Sequence, residues 1–263
     1  AYQTSGCLHG VGVTVVNFLS EWCNVEVCRD GYTWFQEYEQ GTPLKSVVKG
    51  AQTHKHGTRT TFKPDREIFE DVKYDYSTLH RRLQDLAFLN PHITIHFRDL
   101  RDGRGEDFHY PAGLVDFVHN LNGTEVAHAD VIEVTDANTE VKVNIALQYS
   151  ADYSETVRTY VNNVHTVEGG THLSGFRRAL TRVLTAYGTT NKMFKDAAPQ
   201  GEDFREGLTA VISVRVPDPK FQGQTKTKLG NTEVEGVVAT AFGSQFEKYL
   251  EEQSKYILER VNN

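Results

Sequence analysis

Apolar and polar positions follow two periods along this chain, and each predicts its own element. Val11 to Leu19 is a compact apolar run preceded by Gly6, Gly10 and Gly12, which predicts a helix launched from a glycine-rich loop. Asn24 to Arg29 and Tyr32 to Glu39 flank Asp30-Gly31, a dipeptide suited to a type I′ turn, so a β-hairpin is expected there. Thr58 to Phe62 reads as a further strand. Ser77 is placed to cap a helix carrying Leu79, Leu83 and Leu86 at helical spacing, Pro91 stops it, and Ile93 to Phe97 then alternates as a strand.

The stretch from Arg101 to Asp107 is polar, glycine-bearing and free of apolar residues, which places a domain boundary there, with 1–106 and 107–263 as the two parts. Beyond it, Gly113 to Leu121 reads as helix, and Val131 to Val134 and Val141 to Gln148 as strands of an antiparallel meander. A helix over Thr171 to Tyr187 presents Leu173, Phe176, Leu180, Val183 and Leu184 on one face. Leu208 to Val216 is nearly all apolar and β-branched, as in a strand buried on both sides. Thr232 and Glu235 have the spacing of a capping box for a last helix. This α+β succession closes on strand, helix, strand, helix, for which a right-handed βαβ crossover is the expected topology.

At 263 residues the chain is long enough for two domains, with one long domain as the alternative, and 38% hydrophobic with 24% charged residues is the composition of a folded globular protein. The net charge of −7 excludes a surface that is basic throughout but leaves room for a local basic patch. No apolar run approaches the roughly 20 residues that span a bilayer, and no charged-then-apolar leader opens the sequence, so a cytoplasmic protein is expected. Cys7, Cys23 and Cys28 form no Cys-x-x-Cys pair, and the 11 histidines show no ligand spacing, so no metal is assigned to side chains of this chain. The only methionine is Met193, and the chain starts beside a functional-looking loop, so further sequence is expected upstream of Ala1.

Three groups of residues carry candidate chemistry. Gly6-Cys7-Leu8-His9-Gly10-Val11-Gly12 feeding a helix is a potential phosphate cradle, because glycines let the backbone approach and a helix N-terminus favours negative charge. It is not a Walker A loop, since no Gly-Lys-Ser or Gly-Lys-Thr follows. The polar loop Pro217 to Asn231 offers Lys220, Lys226 and Lys228, each either a solvated side chain or a cation for a terminal phosphate. Arg178 and Arg182 lie four apart, opposite the apolar stripe of their helix, where they face solvent or nucleic-acid phosphates.

Taken together and in order, these segments resemble one family over nearly the whole chain. Ser5 to Asn17 is similar to the lid and phosphate loop of the ATPase subunits of bacterial type IIA topoisomerases, gyrase and topoisomerase IV, which have the GHKL (Bergerat) fold. Gly57 to Asp65, Val161 to His172, Gly175 to Arg182, Arg205 to Ala210, Val216 to Phe221 and Gln224 to Leu229 resemble further motifs of that family. The resemblance implies a partial GHKL sandwich over 1–106 and a transducer domain over 107–263. It implies that ATP is held by Tyr2, by the amides of Leu8, His9, Gly10, Val11 and Gly12, and by Thr58, with Gln224 and Lys226 as the catalytic pair at the γ-phosphate and Arg178 and Arg182 facing DNA. It further implies a magnesium ion (Mg2+) whose protein ligand lies upstream of Ala1, ATP-driven homodimerisation, and a partner protein, gyrase A, that supplies the cleaving tyrosine. Gyrase is preferred, with topoisomerase IV as the alternative, and for the isolated fragment an inactive interaction module. Other GHKL proteins share the loop but not the Gln-Thr-Lys context. Two positions depart from the family pattern: Cys7 stands where glycine is usual, and Phe35 where many members carry arginine.

Overall fold

A computed structural model describes residues 6, 10–123 and 126–253. These fall into two compact units, residues 10–75 and Gly6 together with 76–253.

In the smaller unit, helix α1 (Gly12–Phe18) is followed by β1 (Ser20–Arg29), β2 (Tyr32–Glu39), β3 (Thr42–Pro43), β4 (Val48–Gln52) and β5 (Gly57–Pro64). The strands form one antiparallel sheet in the order β3-β2-β1-β5, with β4 also on β2. The Asp30-Gly31 hairpin is present as expected: both residues have positive φ, 53° and 80°, the left-handed pair that a type I′ turn requires. Strand alternation divides the sheet into two faces. Val25, Val27 and Thr58 lie on one, while Glu26, Phe35 and Arg59 lie on the other.

In the larger unit, α2 (Tyr76–Leu89) leads to the hairpin β6 (Ile95–Arg98) and β7 (Gly105–Phe108), then to α3 (Leu114–Asn122). The polar stretch after Arg98 is the hairpin tip. There Arg101 donates to both oxygens of Asp99, which holds that carboxyl at about 2. A five-stranded mixed sheet follows: β8 (Ile132–Asp136), β9 (Lys142–Tyr149), β10 (Thr156–Val161), β11 (Val164–His165) and β12 (Leu208–Arg215), in the order β11-β10-β12-β9-β8. Helices α4 (Thr171–Thr190) and α5 (Thr232–Gln253) pack on one side of it.

Two expectations change. Leu79, Leu83 and Leu86 are all only half-buried; the deep positions of α2 are Asp85, Ala87, Phe88 and Leu89. Phe88 stacks between Tyr110 and Phe117, and Asp85 goes inside because it accepts the Tyr160 hydroxyl at 3.0 Å. The second concerns Glu235, whose carboxylate takes an ion pair from Arg178 on α4, 2.9 Å away. The parallel partner of β12 is β10, a strand that the hydrophobic pattern did not reveal, because Thr156, Arg158 and Thr159 interrupt it.

β12 is buried on both sides. Leu208, Ala210, Ile212 and Val214 join the core beneath α4 and α5, while Val211 joins Phe88, Leu114, Phe117, Ala146 and Tyr160 on the opposite face. The two helices are in close contact at Gly175, where a Cβ would lie 2.4 Å from the Glu235 carbonyl oxygen. Gly175→Ala is therefore expected to destabilise the chain by on the order of 1–3 kcal/mol through overpacking. Gly236→Ala is the control, since its added Cβ meets nothing within 4 Å, and it should stabilise by about 0.5–1 kcal/mol through helix propensity. Urea unfolding of both variants checks the pair, and equal midpoints would show that the helices are not in close contact at Gly175.

Candidate functional site

The candidate residues distribute over both units. In the smaller one, Gly10 has φ 65°, and a side chain there would meet nothing within 4 Å. Val11 and Gly12 are exposed, and α1 has no side-chain cap at Val11. Thr58 is exposed on β5, opposite Val27. It lies on the other face from a depression of about 480 Å³ lined by Glu26, Phe35, Glu37, Lys45, Val48 and Arg59. Tyr2, Leu8 and His9 lie outside the described residues, as does Cys7.

In the larger unit the polar loop after β12 is a closed structure rather than an open coil. Asn231 is buried and fastens its base: its side-chain oxygen accepts from the Lys220 amide and its NH2 group donates to the Asp218 carbonyl. Phe221 and Leu229 bridge across the loop, with Gln222 N–H on Lys228 C=O and Gly230 N–H on Lys220 C=O. Within this frame Gln224 and Lys228 are exposed and Lys226 is half-buried. Lys226 itself has φ 56°, a conformation that costs a non-glycine residue about 1–2 kcal/mol and persists only where its surroundings impose it.

The ammonium of Lys226 donates to the carbonyl oxygen of Gly6 at 2.5 Å, a contact between residues 220 positions apart. Gly6 is held closely on the turn after β10, where a Cβ would lie 2.7 Å from Val164 Cγ2 and 3.1 Å from the Asn162 carbonyl oxygen. Sequence reasoning singled out Lys226 but not Gly6 as its partner. No sequence spacing encodes a main-chain acceptor so far away.

Arg178 and Arg182 are both exposed on α4, and Arg178 is ion-paired to Glu235. Next to the start of α4, His172 is fully buried. Its Nε2 lies 3.0 Å from Thr166 Oγ1, itself hydrogen-bonded to Thr159, while Nδ1 has no partner among the described residues. Among the described residues no group of three or more His, Cys, Asp or Glu side chains could hold a metal ion. No described helix is long and apolar enough to cross a membrane.

This α+β arrangement is that of type IIA topoisomerase ATPase domains. It superposes on the 43K ATPase domain of Thermus thermophilus gyrase B, solved with an aminocoumarin, with a TM-score of 0.83 and 33% identity over 96% of this chain and 70% of that one. It also matches the topoisomerase IV ATP-binding domain of Francisella tularensis, with a TM-score of 0.81 and 27% identity over 98% and 71%. A family profile described as DNA gyrase B matches residues 113–263, and the chain belongs to the DNA gyrase B family. The DNA gyrase B protein of Clostridium acetobutylicum is 50% identical over 96% of this chain, and that of Mycobacterium tuberculosis 44% over 95%. The chain spans about 40% of the length of such relatives.

Burial holds the His172 imidazole down at about 4, against 6.5 for a free histidine, because the charged form would lose its hydration. The unfolded chain therefore binds a proton that the folded one refuses, so this contribution to stability is complete above pH 6.5 and is lost as pH falls towards 4. The loss amounts to about 3 kcal/mol. His128 and His165 are also lowered, mainly by burial, and slope the same way. A His172→Gln variant should lose correspondingly less stability over that window, read as urea midpoints at stepped pH. Identical slopes would mean that His172 is charged in the folded protein.

Proposed function

We propose that this chain is the nucleotide-sensing and transducing part of a DNA gyrase B protein, which couples ATP binding and hydrolysis to DNA strand passage and negative supercoiling. The observation that carries the reading is the Lys226 ammonium on Gly6, the residue that opens the glycine-rich loop, in a chain of the gyrase B family. A lysine there is placed to neutralise a terminal phosphate and the charge that develops during its transfer. In this proposal the amides of Leu8 to Gly12 hold the phosphates, Tyr2 and Thr58 belong to the nucleotide site, and Gln224 adds a neutral hydrogen bond beside the charge-assisted one of Lys226. Loss of the γ-phosphate on hydrolysis removes that contact and releases the transducer, as γ-phosphate contacts do in other switches.

The proposal sets the boundary at 106/107, close to the start of the family match at residue 113, whereas the compact units part at 75/76. It includes gyrase A and DNA as partners, homodimerisation on ATP binding, and a cytoplasmic location. Magnesium is assigned to residues upstream of Ala1; the described residues supply no ligand cluster for it, and no step here is routed through it. Topoisomerase IV is the alternative. The gyrase B family profile and the gyrase B relatives favour gyrase, and a supercoiling assay with the cognate partner separates the two.

In the full-length protein Lys226→Ala should lower ATP turnover by a factor on the order of a hundred or more. Lys228→Ala, an exposed neighbour, should leave it near the parental rate. Near-parental turnover in the first variant, or equal loss in the second, would refute the assignment. Reversing the charges of Arg178 and Arg182 to glutamate should reduce DNA-stimulated turnover while sparing the basal rate. If stimulation survives, the two arginines do not face DNA, and equal loss of both activities would mark misfolding from the lost Arg178–Glu235 ion pair.

A further inference from the structure

The loop that bears Lys226 is tied along one edge to the segment that starts α4. The Glu168 amide donates to the Thr227 carbonyl at 3.0 Å, the Leu229 amide to the Gly169 carbonyl at 3.1 Å, and the Thr171 amide to the Leu229 carbonyl at 3.2 Å. Gly170 and Leu229 form a parallel bridge, and Leu229 is fully buried. The approach is possible because residue 170 is glycine. Its φ is 134°, and a Cβ would lie 2.4 to 2.8 Å from backbone atoms of Leu229. One side chain joins this seam: the Thr227 hydroxyl donates to the Glu168 carboxylate. Thr227 directly follows Lys226, whose positive φ needs its neighbours to hold it in place.

We propose that Glu168 is a positioning residue for Lys226: through Thr227 it fixes the strained turn that aims the ammonium, and through its own amide it couples that turn to the start of α4. The carboxylate of Glu168 touches neither the nucleotide nor Lys226 in this proposal. It acts on the loop, so its loss loosens the lysine without removing it. A fixed lysine distinguishes a nucleotide with a γ-phosphate from one without; a loosened lysine makes the same hydrogen bond in a smaller fraction of conformers. The proposal rests on the reading of Lys226 as the γ-phosphate contact.

The test uses the full-length protein together with its gyrase A partner and measures binding of ADP and of a non-hydrolysable ATP analogue, together with ATP turnover. Thr227→Val removes the hydroxyl and keeps the shape, and Glu168→Gln removes the charge and keeps the amide. Each should lower the preference for the analogue over ADP, and kcat with it, on the order of ten- to a hundredfold, with ADP affinity unchanged. Glu168→Asp should recover part of the preference. Combined with Lys226→Ala, Thr227→Val should add no further loss, because both act through one contact. Retained preference in Thr227→Val and Glu168→Gln, or full additivity with Lys226→Ala, overturns the proposal. A fall in ADP affinity in step with the analogue overturns it as well, since that marks general damage. If Lys226→Ala itself leaves the preference intact, the γ-phosphate reading fails first and the positioning role falls with it. If Lys226→Ala abolishes it and the Glu168 and Thr227 variants do not, only the positioning role fails.

Discussion

The larger unit depends on β12 being buried on both faces from Leu208 to Ile212. A strand buried on both faces must satisfy its backbone within the sheet, and β12 does so with an antiparallel partner, β9, on one side and a parallel one, β10, on the other. The parallel pairing obliges the chain to cross over between them, and α4 lies in that crossing. Even the polar residue Thr209 conforms, giving its hydroxyl to Asn122 at 2.5 Å rather than to water. Side chains from one face of β12 seat α4 and α5; those from the other seat α2 and α3 through Phe88, Phe117 and Tyr160.

The loop with Lys226 inherits its position from this strand. It leaves at Val216, returns at Asn231 to begin α5, and is closed at its base by the Asn231 side chain and by the Phe221–Leu229 bridge. A second fastening runs to the first turn of α4 through Gly169 and Gly170. Both long helices therefore begin beside one lysine-bearing loop. A small change at the loop therefore reaches two rigid elements directly.

Buried polar groups in the unit are linked in chains. Asp85 and Tyr160 join α2 to the sheet, and burial together with the Asp85 carboxylate pushes the Tyr160 hydroxyl well above its usual range. Thr159, Thr166 and His172 join β10 to α4. Such links specify how elements meet, since an unpaired member would be costly inside the protein.

The sequence by itself determined most elements and the resemblance. Local chemistry decided them: the Asp30-Gly31 turn, the run from Leu208 to Val216 and the stripe of α4 each act through neighbours a few residues away. β10 escaped notice because its stability comes from pairing with β12, and its own residues do not alternate. Nothing in the hydrophobic pattern marks Asp85 as a buried position of α2, and Glu235 reads as half of a capping box. Only the tertiary structure gave each its partner, Tyr160 and Arg178 respectively. Lys226 was legible as a residue type in a motif, yet its contact with Gly6 and the seam from Thr227 to Glu168 were not. A motif preserves which side chains are available. Which distant backbone atom each one meets is settled only when the fold brings the two segments together.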